Sequence, residues 1–128
     1  MNEDFVTFDL AKKLKEKGFQ QDYNIFGYKL IYSNNTTIKY ISDIGAYDKE
    51  YFGENVSCPT ISQVLKWLRE EKNIFVVVFI DDDSDYPVTY NIFNGADCVH
   101  HHHGKYFALS EWSKCEMSGI EYVIENLI

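Results

Sequence analysis

The feature that most constrains the fold of this 128-residue chain is an uninterrupted apolar run, IFVVVFI, at Ile74–Ile80. All of its residues are β-branched or phenylalanine, which are the residue types that favour strands. The run is far shorter than the stretch of about 20 residues that a helix needs to cross a bilayer. Because a continuous apolar strand leaves neither face for water, we predict that it lies centrally in a sheet.

Capping signals predict two helices upstream of this run. Thr7 can cap a helix over residues 8–17, and Gly18 follows where that helix should end. Thr60 and Gln63 have the spacing of a capping box, in which two side chains satisfy backbone amides reciprocally. The apolar residues after them recur with helical spacing. We therefore expect the second helix to begin close to Thr60.

Further strands and a closing helix complete the pattern. The segment IFGYKLIYSNNTTIKYI predicts two strands around Asn34–Asn35, since asparagine tolerates the positive φ of tight hairpins. After the apolar run, VTYNIFN at residues 88–94 alternates as a strand does, and KYFALSEW at residues 105–112 predicts one more strand. Ser113 and Glu116 then repeat the capping-box spacing before the last helix.

The resulting order is α-β-β-α-β-β-β-α, in which consecutive strands are joined by short connections. Such connections favour antiparallel pairing, with the helices packed against the sheet. A chain of 128 residues has the size of one domain. We therefore predict an α+β fold: a single domain over residues 1–128, with a mainly antiparallel sheet of about 4–5 strands and three helices.

The charge balance restricts the partners that the chain could bind. Its formal net charge of −8 disfavours direct binding to nucleic acid or to anionic membranes, because such binding needs clustered cations. A basic groove on another protein would suit this charge. The three cysteines Cys58, Cys98 and Cys115 are an odd number without paired spacing, which predicts free thiols in a reducing cytoplasm. The acidic first residues are not those of a signal peptide.

Four consecutive histidines lie in the segment DCVHHHHGKY, residues 97–106. On a regular strand the side chains alternate, so Cys98, His100 and His102 would share one face. One thiolate and two imidazoles suit zinc or copper, but a structural zinc site has four ligands and no second ligand motif completes it. The simpler interpretation is a polar strand end. We expect no cofactor, with zinc at these three residues as the alternative.

The same segment gives little basis for catalysis. A cysteine nucleophile needs an imidazole within hydrogen-bond reach. Cys98 and His100 are two residues apart on a strand, about 6.5 Å between Cα atoms, which is too far for a reliable hydrogen bond. The chain contains no glycine-rich phosphate loop, nucleophile elbow or dinucleotide fingerprint. We expect no catalytic residues and no enzymatic activity.

Two acidic segments are the candidates for binding a partner. The first, Ser42–Pro59, is long for a connection, and long loops in compact domains often carry function. Its aromatic residues supply rigid contact area, and its carboxylates can pair with arginine or lysine. The second is the turn DDDSD at residues 81–85. The predicted contact residues are Asp43, Tyr47, Asp48, Glu50, Tyr51, Phe52, Glu54, Asp81, Asp82, Asp83 and Asp85.

Over nearly its whole length the chain resembles a family of small proteins from bacterial mobile elements and their phages. The resemblance is in FVTFDLAKKLKEKGF and CPTISQVLKWLREEKNIFV, followed by a late strand pair and a closing helix. These residues make the fold, so the family lends no catalytic residues, and the histidine run is not part of the pattern. Similar small acidic phage proteins inhibit host defence, including RNA-guided nucleases, and the resemblance implies such a role.

The sequence thus predicts a non-enzymatic, cytoplasmic protein-binding module. Its partner would be a CRISPR effector, whose basic surface for guide or target RNA the two acidic segments would occupy. The first alternative is a small metal-binding protein. The second is a homodimeric housekeeping module whose aromatic surface forms its own interface.

Overall fold

The computed structural model describes residues 5–19, 30–33, 37–40, 56–57 and 59–128. Its elements, in chain order, are α1 (Phe8–Glu16), β1 (Leu30–Ser33), β2 (Thr37–Tyr40), β3 (Val56–Ser57), α2 (Ile61–Lys72), β4 (Ile74–Ile80), β5 (Val88–Asn94), β6 (Asp97–His101) and α3 (Trp112–Asn126), with a 3₁₀ turn at Leu109–Glu111. They divide between two compact units, Glu3–Thr60 and Ile61–Ile128. The predicted α+β class with three helices is confirmed, and the prediction of one domain over residues 1–128 stays a prediction.

In the first unit, α1 begins and ends where its sequence signals place it. The Thr7 side-chain oxygen accepts a hydrogen bond from Leu10 N at 3.3 Å, which satisfies an amide that has no partner within the helix. Beyond Glu16 the chain reaches Gly18 at φ +90°, a left-handed conformation that glycine adopts without strain. The apolar stripe of α1 is buried, as its helical spacing predicts.

The same unit contains a three-stranded antiparallel sheet in the order β2-β1-β3. β1 and β2 are the predicted strand pair, in a register that sets Leu30 opposite Tyr40. β3 has no counterpart in the prediction: it is two residues long and pairs Ser57 with Ile31 of β1. A strand this short has no alternation that could reveal it. The observed order is therefore α-β-β-β-α-β-β-β-α.

The second unit contains another three-stranded antiparallel sheet, in the order β4-β5-β6. The expected single sheet of 4–5 strands is not confirmed, because the described strands form two sheets of three. The central position predicted for Ile74–Ile80 is wrong: among the described strands β5 is central and β4 lies at the edge. The run is also less buried than its composition predicts: only Ile74 is buried, whereas Val77 and Ile80 are exposed, as suits a strand at an edge of the sheet.

The third strand of this sheet lies at Asp97–His101 and not at the predicted residues 105–112. In the later segment, Phe107 makes only an isolated bridge to β5 before the 3₁₀ turn. β6 follows β5 through a tight turn that contains Gly95 at φ +61°. Asn94 pairs with Asp97, so the turn is Gly95-Ala96, and glycine at the first turn position is a known signal for a two-residue hairpin. The signal for β6 was therefore in the turn and not in the strand itself.

α2 and α3 pack against this sheet and against each other. α2 begins at Ile61, where the capping-box spacing predicts it. α3 begins at Trp112, so the predicted cap Ser113 lies inside the first turn. Directly before α3, the Glu111 carboxylate accepts a hydrogen bond from Ala108 N at 3.0 Å. None of the helices that the structure describes is long and apolar enough to cross a membrane.

α3 approaches the sheet closely at Gly119. A Cβ atom at this position would overlap Val76 Cγ1 and lie 3.3 Å from Tyr90 Cδ2. Carbon atoms in van der Waals contact are about 3.5–4.0 Å apart, so a side chain here would force the helix and the sheet apart. Glycine is disfavoured within helices, and its presence is explained by this contact.

We predict that G119A lowers the free energy of unfolding by about 1–3 kcal/mol, because overpacking outweighs the gain in helix propensity of about 1 kcal/mol. Urea unfolding of the wild type and the variant measures the difference. Val76→Ala removes the atom that the added methyl would meet. In the Val76→Ala variant, G119A should therefore lower the free energy of unfolding by at least about 1 kcal/mol less than it does in the wild type. An equal decrease in both proteins would contradict the close contact.

Candidate functional site on the histidine strand

A β-bulge in β6 decides which way the histidines point. The register of the β5–β6 ladder shifts between Ile92 and Phe93. Ile92 lies opposite His100, whereas Phe93 lies opposite Cys98, so Val99 is an extra residue without a counterpart on β5. An extra residue of this kind interrupts the alternation of side chains between the two faces.

Because of the bulge, the three residues of the alternative zinc site do not share one face of the strand. Ile92 and Phe93 are neighbours on β5 and point to opposite faces, so their partners His100 and Cys98 also lie on opposite faces. The expected common face of Cys98, His100 and His102 does not form. Within the described parts of the chain, no three histidine, cysteine, aspartate or glutamate side chains are grouped to hold a metal ion. Zinc binding stays a prediction, now without this geometric basis.

His100 and His102 lie on the face that meets α3, and both stack on tyrosines. The His100 ring stacks on Tyr122 of α3, with centroids 3.6 Å apart and planes 13° from parallel. The His102 ring stacks on Tyr90 of β5, with centroids 4.6 Å apart. His102 Nε2 lies 3.1 Å from Lys105 O, and this nitrogen carries a proton because a carbonyl only accepts. These two histidines therefore pack β6 against its neighbours.

The surroundings of this stack favour uncharged rings. Burial lowers the pKa of His100, and the neighbouring imidazoles of His103, His102 and His101 act in the same direction. Burial also raises the pKa of Tyr90. Both shifts keep the side chains of His100 and Tyr90 neutral at neutral pH, so neither residue places a charge in its stack.

Cys98 and His101 lie on the opposite face, together with Asn91 of β5. Cys98 Sγ is 3.6 Å from His101 Nε2 and 3.8 Å from His101 Nδ1. His101 Nδ1 in turn lies 2.9 Å from Asn91 Oδ1. Cys98 Sγ also lies 3.7 Å from His100 O, to which its S–H can donate. The fold thus brings a thiol, an imidazole and an amide together on an exposed face.

Neither Asn91 nor His101 is a candidate from the sequence. The tight turn after Asn94 could have indicated that β5 and β6 pair, but a regular ladder from that turn would set Asn91 opposite His100. The bulge is what brings His101 to this position. No local pattern in β6 announces the bulge, because it depends on how the residues of two strands are matched.

The predicted acidic turn connects β4 to β5, and hydrogen bonds hold its shape. Asp82 Oδ1 accepts hydrogen bonds from Ser84 Oγ at 2.6 Å and from Ser84 N at 2.9 Å. These bonds lower the pKa of Asp82. Ser84 Oγ accepts a further bond from Tyr86 N at 3.2 Å. Asp81 Oδ2 accepts from the Tyr106 hydroxyl at 2.9 Å, which raises the pKa of Tyr106.

The remaining carboxylates of the turn, Asp83 and Asp85, are exposed. Beside them, Lys105 Nζ lies 5.3 Å from the ring centroid of Tyr86, within the range of a cation–π contact. The structure thus shows that the second predicted acidic segment, at residues 81–85, is an exposed turn between β4 and β5. The contact residues predicted in the first segment lie outside the described residues; they are Asp43, Tyr47, Asp48, Glu50, Tyr51, Phe52 and Glu54.

We predict that His100 makes the protein less stable as the pH falls below neutrality. In the unfolded chain this imidazole takes up a proton near pH 6.5, whereas in the folded protein it does so only at lower pH. The unfolded state therefore binds more protons in this range, and the free energy of unfolding falls as the pH decreases through it. Chemical unfolding at pH 8 and pH 5.5 measures the effect.

H100F is the variant that isolates this contribution, because phenylalanine can stack on Tyr122 but cannot titrate. Its free energy of unfolding should fall less between pH 8 and pH 5.5 than that of the wild type. Equal pH dependence in H100F and the wild type would contradict the assignment.

The chain matches no protein-family profile, no curated protein and no solved structure among those compared. The resemblance to small proteins of mobile elements and phages therefore stays a prediction, and the functional conclusion depends on the described residues themselves.

Proposed function

We propose that the chain is a protein-binding module without enzymatic activity, and that it engages a basic surface on a partner protein. The observation that supports this proposal is the exposed turn at Asp81–Asp85, whose internal hydrogen bonds set its shape before a partner binds. A surface that is ordered in advance loses less conformational entropy on binding.

The carboxylates of the turn divide into two groups. Asp81 and Asp82 accept hydrogen bonds from within the second unit and hold the turn together. Asp83 and Asp85 are exposed, and neither is hydrogen-bonded or ion-paired to another described residue. Their charges are therefore available to arginine or lysine side chains, with which carboxylates form charge-assisted hydrogen bonds.

Tyr86 adds an aromatic group to the same surface. Tyr86 is 49% exposed, and the Lys105 ammonium lies over its ring. Tyrosine is enriched among the residues that dominate binding energy at protein interfaces, because it offers a large contact area with few rotatable bonds. The turn thus combines an exposed aromatic group with carboxylates that have no partner among the described residues.

The net charge of −8 gives the module long-range attraction to a basic partner. Attraction of this kind raises the association rate, and salt weakens it by screening. The same charge repels the phosphates of nucleic acid, so the partner surface would be the basic protein groove itself.

The more specific part of the proposal concerns the kind of partner. The resemblance to small phage proteins favours an RNA-guided defence nuclease, whose groove for guide or target RNA is basic. In that role the protein would act as an inhibitor in the host cytoplasm. The carboxylates and aromatic rings of Asp43–Glu54 are further candidates for contact with such a partner.

The broader proposal predicts that D83N/D85N loses binding to basic proteins. We would immobilise the wild type, D83N/D85N and E70Q/E71Q, and measure by quantitative mass spectrometry what each retains from nuclease-treated bacterial lysate. E70Q/E71Q neutralises two exposed carboxylates on α2, so it matches the change in net charge at another site. Retention of basic proteins should drop about tenfold in D83N/D85N alone, and more NaCl should weaken the same set. Equal retention by all three proteins would contradict the proposal.

The narrower proposal has its own assay. Purified RNA-guided nucleases, loaded with guide, would cleave target nucleic acid in the presence of the wild type or D83N/D85N. Inhibition by the wild type that the double substitution relieves would support the nuclease as partner. If no nuclease is inhibited, the narrower proposal fails while the binding of basic proteins remains a separate result.

A further inference from the structure

The face of β5 and β6 that carries Cys98 contains groups that the binding proposal does not use. Cys98 is a free, exposed thiol. Its sulfur lies 3.6 Å from His101 Nε2, and the other ring nitrogen, Nδ1, lies 2.9 Å from Asn91 Oδ1. A thiol, a base and a group that orients the base are the three parts of an activated cysteine nucleophile.

The contact with Asn91 determines which nitrogen of His101 can act as the base. An amide oxygen only accepts hydrogen bonds, so Nδ1 must donate its proton to Asn91 Oδ1. In a neutral imidazole the other nitrogen then has a free lone pair. That nitrogen, Nε2, is also the one nearer to the sulfur. Because Sγ is almost equidistant from the two nitrogens, a modest rotation of the ring is needed to aim Nε2 at it.

We propose that Cys98, His101 and Asn91 form a nucleophilic thiol site, at which Cys98 is modified by low-molecular-weight disulfides such as glutathione disulfide. The exposed position of Cys98 and His101 suits a small reagent of this kind, which needs no enclosed pocket. His101 is the base, and Asn91 is a positioning residue that holds its tautomer.

The step is a thiol–disulfide exchange. The Cys98 thiol gives its proton to His101 Nε2, and the thiolate attacks one sulfur of the disulfide. The disulfide bond breaks as the bond to Cys98 Sγ forms. The leaving thiolate takes the proton back from Nε2. One protein thiol and one disulfide thus become one mixed disulfide and one small thiol, so Cys98 is oxidised while half of the reagent is reduced.

Cys115 of α3 provides a comparison within the same chain. Its side chain is fully buried, and burial raises the pKa of its thiol to about 12. A thiol in that state is neither accessible nor ionised at neutral pH. Cys98 should therefore react and Cys115 should not, so the same protein reports both outcomes.

The test measures mixed-disulfide formation with glutathione disulfide by intact-protein mass spectrometry, in a C58S background of the full chain. One glutathione should add at Cys98, and C98S should add none. At pH 7, H101Q should react about tenfold more slowly, since removal of a general base has effects of this order or larger. The difference should narrow as the pH rises to 10, because hydroxide then replaces the protein base at an exposed thiol.

Two variants of Asn91 test whether this residue orients the His101 ring or only supports the fold. N91A should react more slowly than the wild type, and N91D, which still accepts the Nδ1 proton, should restore much of the rate. H103Q changes an exposed histidine outside the trio and should react like the wild type. Urea unfolding of each variant checks that the fold is retained.

The proposal is overturned if H101Q and H103Q react at the wild-type rate at pH 7, or if the glutathione is found on Cys115. Neither result would bear on the binding of basic proteins. The acidic turn precedes β5, whereas Cys98 pairs near the far end of β5, so the two sites lie at opposite ends of the strand.

Discussion

Val99 is one residue more than the β5–β6 ladder can pair, and the placement of the chemical groups on β6 follows from that mismatch. A strand presents alternate residues to its two faces, so a shift of one position exchanges the faces of all residues beyond it. On the side of Val99 nearer the turn, Cys98 is paired with Phe93, and on its other side His100 is paired with Ile92. The bulge therefore separates two groups that a regular strand would have kept together.

The consequence is that the run of histidines has no single role. On the inner face, His100 and His102 act as aromatic packing groups, stacked on Tyr122 and Tyr90, and burial lowers the pKa of His100. That stack is possible because α3 lies close to the sheet, where Gly119 leaves no side chain between them. On the outer face, His101 meets a thiol and an amide in solvent. The same residue type thus stabilises the fold on one side of the strand and supplies a base on the other.

How much of the fold could be predicted depended on whether the signal was local. The cap at Thr7 and the start of α2 near Thr60 were predicted because capping involves residues within one turn of helix. The position of β4 within its sheet was not, since an apolar run does not determine the number of paired neighbours, and Val77 and Ile80 of this run are in fact exposed. β6 was misplaced because its residues lack alternation and its best signal, Gly95, lies in the turn before it. The acidic turn is exposed, and its role in binding stays a prediction, whereas the grouping at Cys98 required a match between two strands that no single segment encodes.

Cross-strand nuclear Overhauser effects in the β5–β6 ladder test the bulge most directly. We predict backbone contacts between Asn91 and His101 and between Phe93 and Cys98, with Val99 lacking a cross-strand partner. A regular ladder from the same tight turn would instead place Asn91 opposite His100. Contacts from Asn91 to His100 in place of those to His101 would contradict the bulge, the stacked position of His100 and the thiol site together.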